Sequence, residues 1–186
     1  KWHEKLFGAC LTLCGTDSEH KRNYIVMHAD SSMQILEAQY FQTNPRIKNH
    51  KIVGYERDSA KQMILFRIDR FLEPGTRGAL EIKFIAQRQV DDTKGGVFRT
   101  HFNHRLAENE IGAATQASYW IGSFEPTGAR RAFPCFDEPR FKVNINLMLT
   151  HKSTDQAVSS LRLNSMYASG DVIKQTFHAS HHPMPL

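Results

Sequence analysis

Apolar residues recur at every second position along most of the chain, which is the spacing of β-strands that bury one face. The longest such run covers residues 143–150, VNINLMLT, in which apolar and mostly polar side chains alternate. Shorter runs of the same kind lie at residues 7–13, 64–68 and 80–84. Each run predicts one strand with a buried face and a solvated face.

Turn-forming residues separate these runs, and only one segment favours a helix. Thr127 can serve as the N-cap of a single helical turn that runs to Ala132, and Pro134 then ends it. Strands at this spacing, with loops between them, predict an all-β fold with one short helical turn. We expect a sandwich or a saddle-like pair of sheets with antiparallel and mixed pairing.

A chain of 186 residues can bury a real core, and we expect residues 1–186 to form a single domain. The net charge of +5 is scattered without a basic run, which favours a solvated surface over a nucleic-acid partner. No stretch approaches the roughly eighteen apolar residues of a membrane span. Because the first residue is Lys1 rather than Met, the sequence suggests a processed product or a segment of something longer.

Three cysteines cannot all pair within the chain. Cys10 and Cys14 fall on the same side of one predicted strand, where their separation exceeds the reach of a disulfide. Cys135 lies among apolar neighbours and lacks the nearby base that a nucleophilic thiol requires. We therefore expect small buried thiols, and the cysteines leave the cellular compartment open.

Ten histidines invite a search for zinc, but their spacing does not support a site. His3 and Glu4 open a possible H-E-x-x-H motif whose second histidine is absent, since Phe7 holds that position. His101 and His104 are three apart in a predicted strand and therefore point to opposite faces. The C-terminal histidines, which are His178, His181 and His182, lack accompanying carboxylates or thiolates and are expected at the surface. We predict no metal site in this chain.

Residues 124–142, FEPTGARRAFPCFDEPRFK, form the most distinctive stretch and are called the signature segment below. Asp137 and Glu138 are expected to pair with Arg130, Arg131 or backbone donors and so to have a structural role. Glu125 precedes Pro126, where a stiff backbone can aim the side chain outward. Glu125 is therefore the best candidate for a ligand contact.

The signature segment closely resembles the F-E-P-T-x-A-R-R-A-F-P-C-F-D-E-P-x-F-K motif of the aminopeptidase N family, the gluzincin zinc aminopeptidases. Weaker similarity covers nearly the whole chain, including IVMHADSSMQI, LEPGTRGALEIKF, GGVFRTHF and HHPMPL. The resemblance implies the N-terminal β domain that lies beside a thermolysin-like catalytic domain. The zinc ligands, the general base and the exopeptidase loop of that family belong to sequence beyond this chain, so we assign no catalytic residue and no cofactor here.

In this family the glutamate of F-E-P-T is implied to receive the α-ammonium group of the peptide substrate, and that residue is Glu125. Two departures from the family pattern stand out. The family usually has glutamine two residues before this glutamate, where Ser123 stands; Gln116 could fill that role if residues 118–123 formed an inserted loop. Gly128 replaces a common aspartate, which we expect to loosen the start of the helix.

The resemblance implies that this is a substrate-flanking domain whose partners are a peptide with a free N-terminus and the catalytic domain of the same parent. Zinc is implied for that catalytic domain alone, and whether the parent is an active enzyme stays open. The alternative is a non-catalytic scaffold or protein-interaction domain, an interpretation that Ser123 favours. For the parent we expect a plasma-membrane ectodomain or an extracellular protein, with a cytoplasmic location as the alternative.

Overall fold

The computed structural model describes residues 5–15, 21–44, 48–87, 95–104 and 115–184, with backbone alone for residues 5–15, 102–104 and 115–117. These residues form eleven strands and one four-residue helix. In chain order they are β1 (Lys5–Gly15), β2 (Arg22–His28), β3 (Gln34–Asn44), β4 (Lys48–Asp58), β5 (Met63–Leu72), β6 (Arg77–Gln87), β7 (Gly96–His104), β8 (Thr115–Ser123), α1 (Ala129–Ala132), β9 (Met148–Lys152), β10 (Leu163–Ser169) and β11 (Val172–Phe177).

The all-β prediction is confirmed, with one short helix in the expected region. Every strand pair among the described residues is antiparallel, so the predicted mixed pairing is not found there. The chain clusters into two compact units, Lys1–Asp137 and Glu138–Leu186, which are described separately. The expectation of one domain over residues 1–186 stays a prediction.

The first unit contains a six-stranded sheet with the order β1-β6-β3-β4-β5-β2 and a separate two-stranded sheet of β7 and β8. β4 changes partner along its length. Lys48 to Lys51 pair with β3, whereas Ile52 to Asp58 pair with β5. The register shifts between Ile52 and Gly54, and such a bulge bends a strand so that the sheet turns a corner.

The core of the first unit forms from the alternating apolar positions of this sheet. On β5 and β6 the predicted inward side chains are at most 5% exposed, namely those of Ile64, Phe66, Ile68, Leu80, Ile82 and Phe84. Their intervening neighbours Leu65, Arg67, Glu81 and Lys83 are more exposed. The two-residue period therefore predicted both the strands and their buried faces correctly.

The second unit contains a three-stranded sheet with the order β10-β11-β9. The strand predicted over residues 143–150 is only partly present, because β9 begins at Met148. Burial nevertheless alternates as predicted through this stretch. Before β9 the chain forms an isolated bridge between Val143 and Met184 and a hydrogen bond from the Ser180 N–H to the Ile145 carbonyl. The side chains have the spacing of a strand, but the backbone lacks a continuous ladder.

Residues 124–137 of the signature segment are attached to the first unit at the end of β2. His28 and Cys135 exchange backbone hydrogen bonds of 2.8 and 3.0 Å. The Asp137 N–H donates to the His28 Nδ1 atom at 3.2 Å, and the Asp30 N–H donates to the Arg130 carbonyl at 2.8 Å. The segment is therefore fixed by main-chain bonds at both Arg130 and Cys135.

A buried ion pair closes the same segment on itself. The Arg130 Nε atom donates to the Asp137 carboxylate at 2.7 Å, and the two side chains are only 12% and 2% exposed. Arg130 also donates from its backbone N–H to that carboxylate, at 3.3 Å, and from Nη2 to the Asp137 carbonyl, at 3.2 Å. The predicted structural role of Asp137 is thus confirmed.

α1 begins where three glycine residues bring backbones into close contact. A Cβ atom on Gly128 would lie 2.5 Å from the Ser123 carbonyl oxygen and 2.6 Å from the Gly96 nitrogen. Gly95 has a positive φ of 71°, and a Cβ there would lie 3.2 Å from the Gly128 Cα atom. Gly128, rather than Thr127, occupies the N-cap position, and no side chain caps the helix. The predicted Thr127 cap is therefore wrong, and Gly128 packs tightly instead of loosening the helix start.

The close approach at Gly128 predicts that Gly128→Ala lowers the free energy of unfolding by about 1–3 kcal/mol, because the added methyl group has to displace backbone atoms. Gly54→Ala is the matched control, since a Cβ on Gly54 meets no atom within 4 Å. The control should be neutral or stabilising by up to about 1 kcal/mol. Urea denaturation midpoints measure both changes. Equal midpoints for the two variants would contradict the close packing at Gly128.

The buried ion pair predicts a larger loss for Asp137→Asn, because this change leaves the Arg130 charge buried without its counter-ion. Removing one partner of such a pair costs about 3–5 kcal/mol. The exposed pair of Glu56 and Arg67 provides the control, and Glu56→Gln should cost less than about 1 kcal/mol. Chemical denaturation of both variants tests the contrast. A loss in Asp137→Asn no larger than in the control would show that the pair does not hold the segment.

Candidate functional site

The candidate site is the short turn that joins β8 to α1 and carries Glu125. The Gly128 N–H donates to the Phe124 carbonyl at 2.6 Å and closes the turn. The Phe124 ring packs edge-on against the Phe133 ring, with 5.4 Å between centroids, and Phe133 packs against the core. The peptide bond between Glu125 and Pro126 is cis. Glu125 therefore lies between an anchored aromatic ring and the tightly packed Gly128.

Glu125 is exposed in this turn. Among the described residues, no hydrogen bond or ion pair to the Glu125 carboxylate is found. An exposed carboxylate on such a turn can accept hydrogen bonds from a cationic ligand without first losing a partner among the described residues. The arrangement has the chemistry of an ammonium-binding group.

Ser123 and Gln116 lie on the same strand, but they are far apart. Ser123 is the exposed last residue of β8 and pairs with Gly96. Gln116 is seven positions earlier, which corresponds to about 23 Å along an extended strand. β8 runs through residues 118–123 without a loop, so the predicted insertion is not found. A substrate contact by either residue stays a prediction.

Glu138 and Cys135 of the signature segment have structural contacts. The Glu138 carboxylate pairs with the Arg140 Nε atom at 2.9 Å. This pairing corrects the expected partner of Glu138, which was Arg130, Arg131 or a backbone donor. The Cys135 thiol is buried, with 4% exposure, as predicted, and the Cys135 backbone forms the bridge to His28. The side chains of Cys10 and Cys14 lie outside the described part of the chain.

Four of the histidines considered for a metal site lie at the surface. His178, His181 and His182 are exposed, as predicted, and so is His101 on β7. The side chain of His104 lies outside the description. Within the described residues no group of three or more His, Cys, Asp or Glu side chains could hold a metal ion. These residues therefore do not fit a zinc site, and no chemical step in this chain is assigned to a metal.

Three features that position the site were not predicted from the sequence. His28 is 9% exposed and accepts the Asp137 N–H. The glycine pair Gly95 and Gly96 packs against Gly128. β8 also carries three large side chains that are 41–48% exposed, namely Tyr119, Trp120 and Ile121. This exposed apolar stretch ends three residues before Phe124.

No helix in the described ranges combines the length and the apolar character required to cross a membrane.

Known proteins resemble this chain over most of its length. A family model described as the Peptidase M1 N-terminal domain matches residues 5–185. Endoplasmic reticulum aminopeptidase 2 of Homo sapiens is 28% identical over 134 residues, which are 72% of this chain and 13% of that protein. The thyrotropin-releasing hormone-degrading ectoenzyme of Rattus norvegicus is 24% identical over 147 residues, or 77% of this chain and 12% of that protein.

A fungal relative shows the same relation in length. Aminopeptidase 2 of Candida albicans is 28% identical over 129 residues, which are 69% of this chain and 12% of that protein. The chain therefore spans about an eighth of the length of these curated relatives. Since the family model covers almost the entire sequence, the chain belongs to the Peptidase M1 N-terminal domain family.

Proposed function

We propose that this chain is the substrate-flanking domain of a zinc metallo-aminopeptidase and that Glu125 binds the α-ammonium group of the peptide substrate. The observation that carries the proposal is the exposed Glu125 carboxylate, which pairs with no other described residue and lies on a turn whose backbone is bonded and packed on both sides. An enzyme that removes N-terminal residues has to recognise a cation at the end of its substrate. A fixed carboxylate supplies that recognition at little entropic cost.

The magnitude of the interaction fits a selectivity role. A charge-assisted hydrogen bond contributes about 1.5–3 kcal/mol. This free energy corresponds to a preference of roughly 10- to 150-fold for free over blocked amino termini. The rigid setting matters, because a misplaced carboxylate would lose much of this preference.

The catalytic domain of the same parent chain is the proposed partner. The relatives named above are called aminopeptidases or a hormone-degrading ectoenzyme, and all are several times longer than this chain. Tyr119 and Ile121 are exposed two positions apart on β8 and therefore lie on one face of the strand. They support docking against another part of the parent, since exposed apolar surface marks interaction sites. The zinc ion and the groups that cleave the peptide belong to that partner domain, so the isolated chain is inactive.

A non-catalytic scaffold is the second candidate function, and Ser123 favours it. The short hydroxyl side chain at the end of β8 reaches less far toward a ligand than the glutamine that family members usually have. In a scaffold the same exposed β8 residues would bind a protein partner while Glu125 has no substrate.

The names of the relatives include both an endoplasmic reticulum enzyme and an ectoenzyme. We therefore place the parent in the secretory pathway or at the cell surface, with the cytoplasm as the alternative.

Substitution of Glu125 in the full-length parent tests the proposed function. Glu125→Gln removes the charge and keeps the shape, so kcat/KM for an amino-acid arylamide should fall roughly 10- to 150-fold. The control is Glu56→Gln, which changes a carboxylate that is 66% exposed on β4 and should leave kcat/KM unchanged. Thermal unfolding of both variants checks that the fold is intact.

An unchanged kcat/KM in Glu125→Gln would show that Glu125 does not bind the α-ammonium group of the substrate. A wild-type parent without arylamide hydrolysis in the presence of zinc would instead favour the scaffold. The isolated chain of residues 1–186 should show no hydrolysis in the same assay. Activity of the isolated chain would contradict the assignment of catalysis to another domain.

A further inference from the structure

The outer edge of β10 in the second unit is open to another strand. β10 is the end strand of the three-stranded sheet, and all seven of its residues are exposed. Its backbone pairs with β11 on one side, and no backbone hydrogen bond from Leu163–Ser169 to any other described residue is found. In an antiparallel pair, about half of the N–H and C=O groups of an end strand point away from its neighbour. β10 therefore presents a row of backbone donors and acceptors along its outer side.

The side chains of β10 do not protect this edge from pairing. Natural sheets block their end strands with charged side chains, especially lysine, or with proline. β10 has the sequence LNSMYAS and contains neither, whereas β9 at the other end of the same sheet contains Lys152. Met166 and Tyr167 point to opposite faces and are 60% and 69% exposed, so large side chains flank the open edge on both faces. Such an edge is a template for another strand.

The regular part of this strand is nearly palindromic. Its pairing with β11 is free of register shifts over residues 165–169, which have the sequence SMYAS. When two identical strands pair antiparallel about a two-fold axis, each residue faces its counterpart in the reversed sequence. An axis at the central tyrosine matches like with like or large with small. It places Tyr167 opposite Tyr167, Ser165 opposite Ser169 and Met166 opposite Ala168.

We propose that β10 pairs with β10 of a second copy of this chain, antiparallel and centred on Tyr167, so that two three-stranded sheets become one six-stranded sheet. On one face the two Tyr167 rings pack against each other, and aromatic cross-strand pairs stabilise antiparallel sheets. On the other face each Met166 side chain covers the small Ala168 of the second copy. The backbone groups of both outer edges gain hydrogen bonds in the same step.

Charge favours a second copy as the occupant of this edge. Neither β10 strand carries a charge, so no like charges face each other and nothing on the strand selects an acidic or a basic partner. Lys174 pairs with Tyr167 on β11 and is the nearest cation across the sheet. In the proposed dimer the two Lys174 residues are three strand spacings apart, or about 14 Å, which exceeds the Debye length of about 8 Å at physiological salt.

The size of the contact sets its strength. Five residue pairs extend over about 17 Å of strand and bury less than the roughly 1,200 Å² of a standard stable interface. The dimer is therefore weak and reversible, with a dissociation constant on the order of 0.1 mM.

Sedimentation velocity of the full-length parent, at concentrations below and above this constant, tests the pairing and should show a reversible monomer–dimer equilibrium. Tyr167→Lys places two ammonium groups opposite each other at the axis, so dimerisation should weaken at least about tenfold. The melting temperature should stay the same, because Tyr167 is 69% exposed. A monomer at every concentration, or a dimer that Tyr167→Lys does not weaken, would overturn the proposal.

A charge swap tests whether residue 167 faces its own counterpart. Tyr167→Glu alone should also weaken the dimer, because two carboxylates then meet at the axis. An equimolar mixture of the Tyr167→Lys and Tyr167→Glu variants should dimerise again, since opposite charges now face each other. A mixture that stays monomeric would contradict the register centred on Tyr167.

Disulfide crosslinking locates the contact. Directly opposed Cβ atoms in an antiparallel pair are about 4.5–5.5 Å apart, close to the separation in a disulfide, so oxidised Tyr167→Cys should form a covalent dimer on a non-reducing gel. Thr150→Cys is the matched control, since Thr150 is exposed and lies in the same cross-strand row through Lys174. Across the proposed sheet Thr150 is about 24 Å from its counterpart. Equal crosslinking of the two variants would contradict the assignment to β10.

Discussion

The buried ion pair of Arg130 and Asp137 is the interaction on which the placement of the signature segment depends. Taking two charges out of water is costly, and the cost is offset only while every donor and acceptor keeps its partner. Here the Asp137 carboxylate accepts hydrogen bonds from the Arg130 side chain and from the Arg130 backbone N–H. The backbone N–H of Asp137 donates to the His28 ring. A shift of the segment by one residue along β2 would break the bond to His28, whereas the ion pair lies within the segment and keeps Arg130 and Asp137 together. The ion pair and the His28 bond together therefore fix α1 at the end of β2, and with it the turn that carries Glu125.

The candidate site combines two kinds of constraint that act at different ranges. Glycine backbones at Gly95, Gly96 and Gly128 meet directly, so no side chain separates the Glu125 turn from the β7 and β8 hairpin. Aromatic packing of Phe124 on Phe133 then links the turn to the core. Between these contacts Glu125 remains exposed. The neighbours of the turn are packed, while the Glu125 side chain itself is open to solvent.

Sequence patterns predicted the parts of the fold that depend on burial. Alternation located β5 and β6, since each has a buried and a less buried face. The same alternation over residues 143–150 extended the strand too far, because a side-chain period records which face is buried and not whether a neighbouring strand supplies hydrogen bonds. The motif singled out Glu125 and Asp137. The roles of His28 and Gly128 depend on contacts between residues that are distant in sequence. The sequence alone does not show such contacts.

The position of β4 determines where the six-stranded sheet opens in local unfolding. On one side of it, β1, β6 and β3 form one hydrogen-bonded ribbon, and on the other side β5 and β2 form a second. Within the described sheet, β4 supplies the strand-to-strand hydrogen bonds between the two ribbons, with four residue pairs on the β3 side. Fluctuations that open those four pairs would leave both ribbons internally intact. Amide protons at the junction should thus exchange with solvent sooner than those at the centre of either ribbon. β4 is therefore where the six-stranded sheet opens most readily.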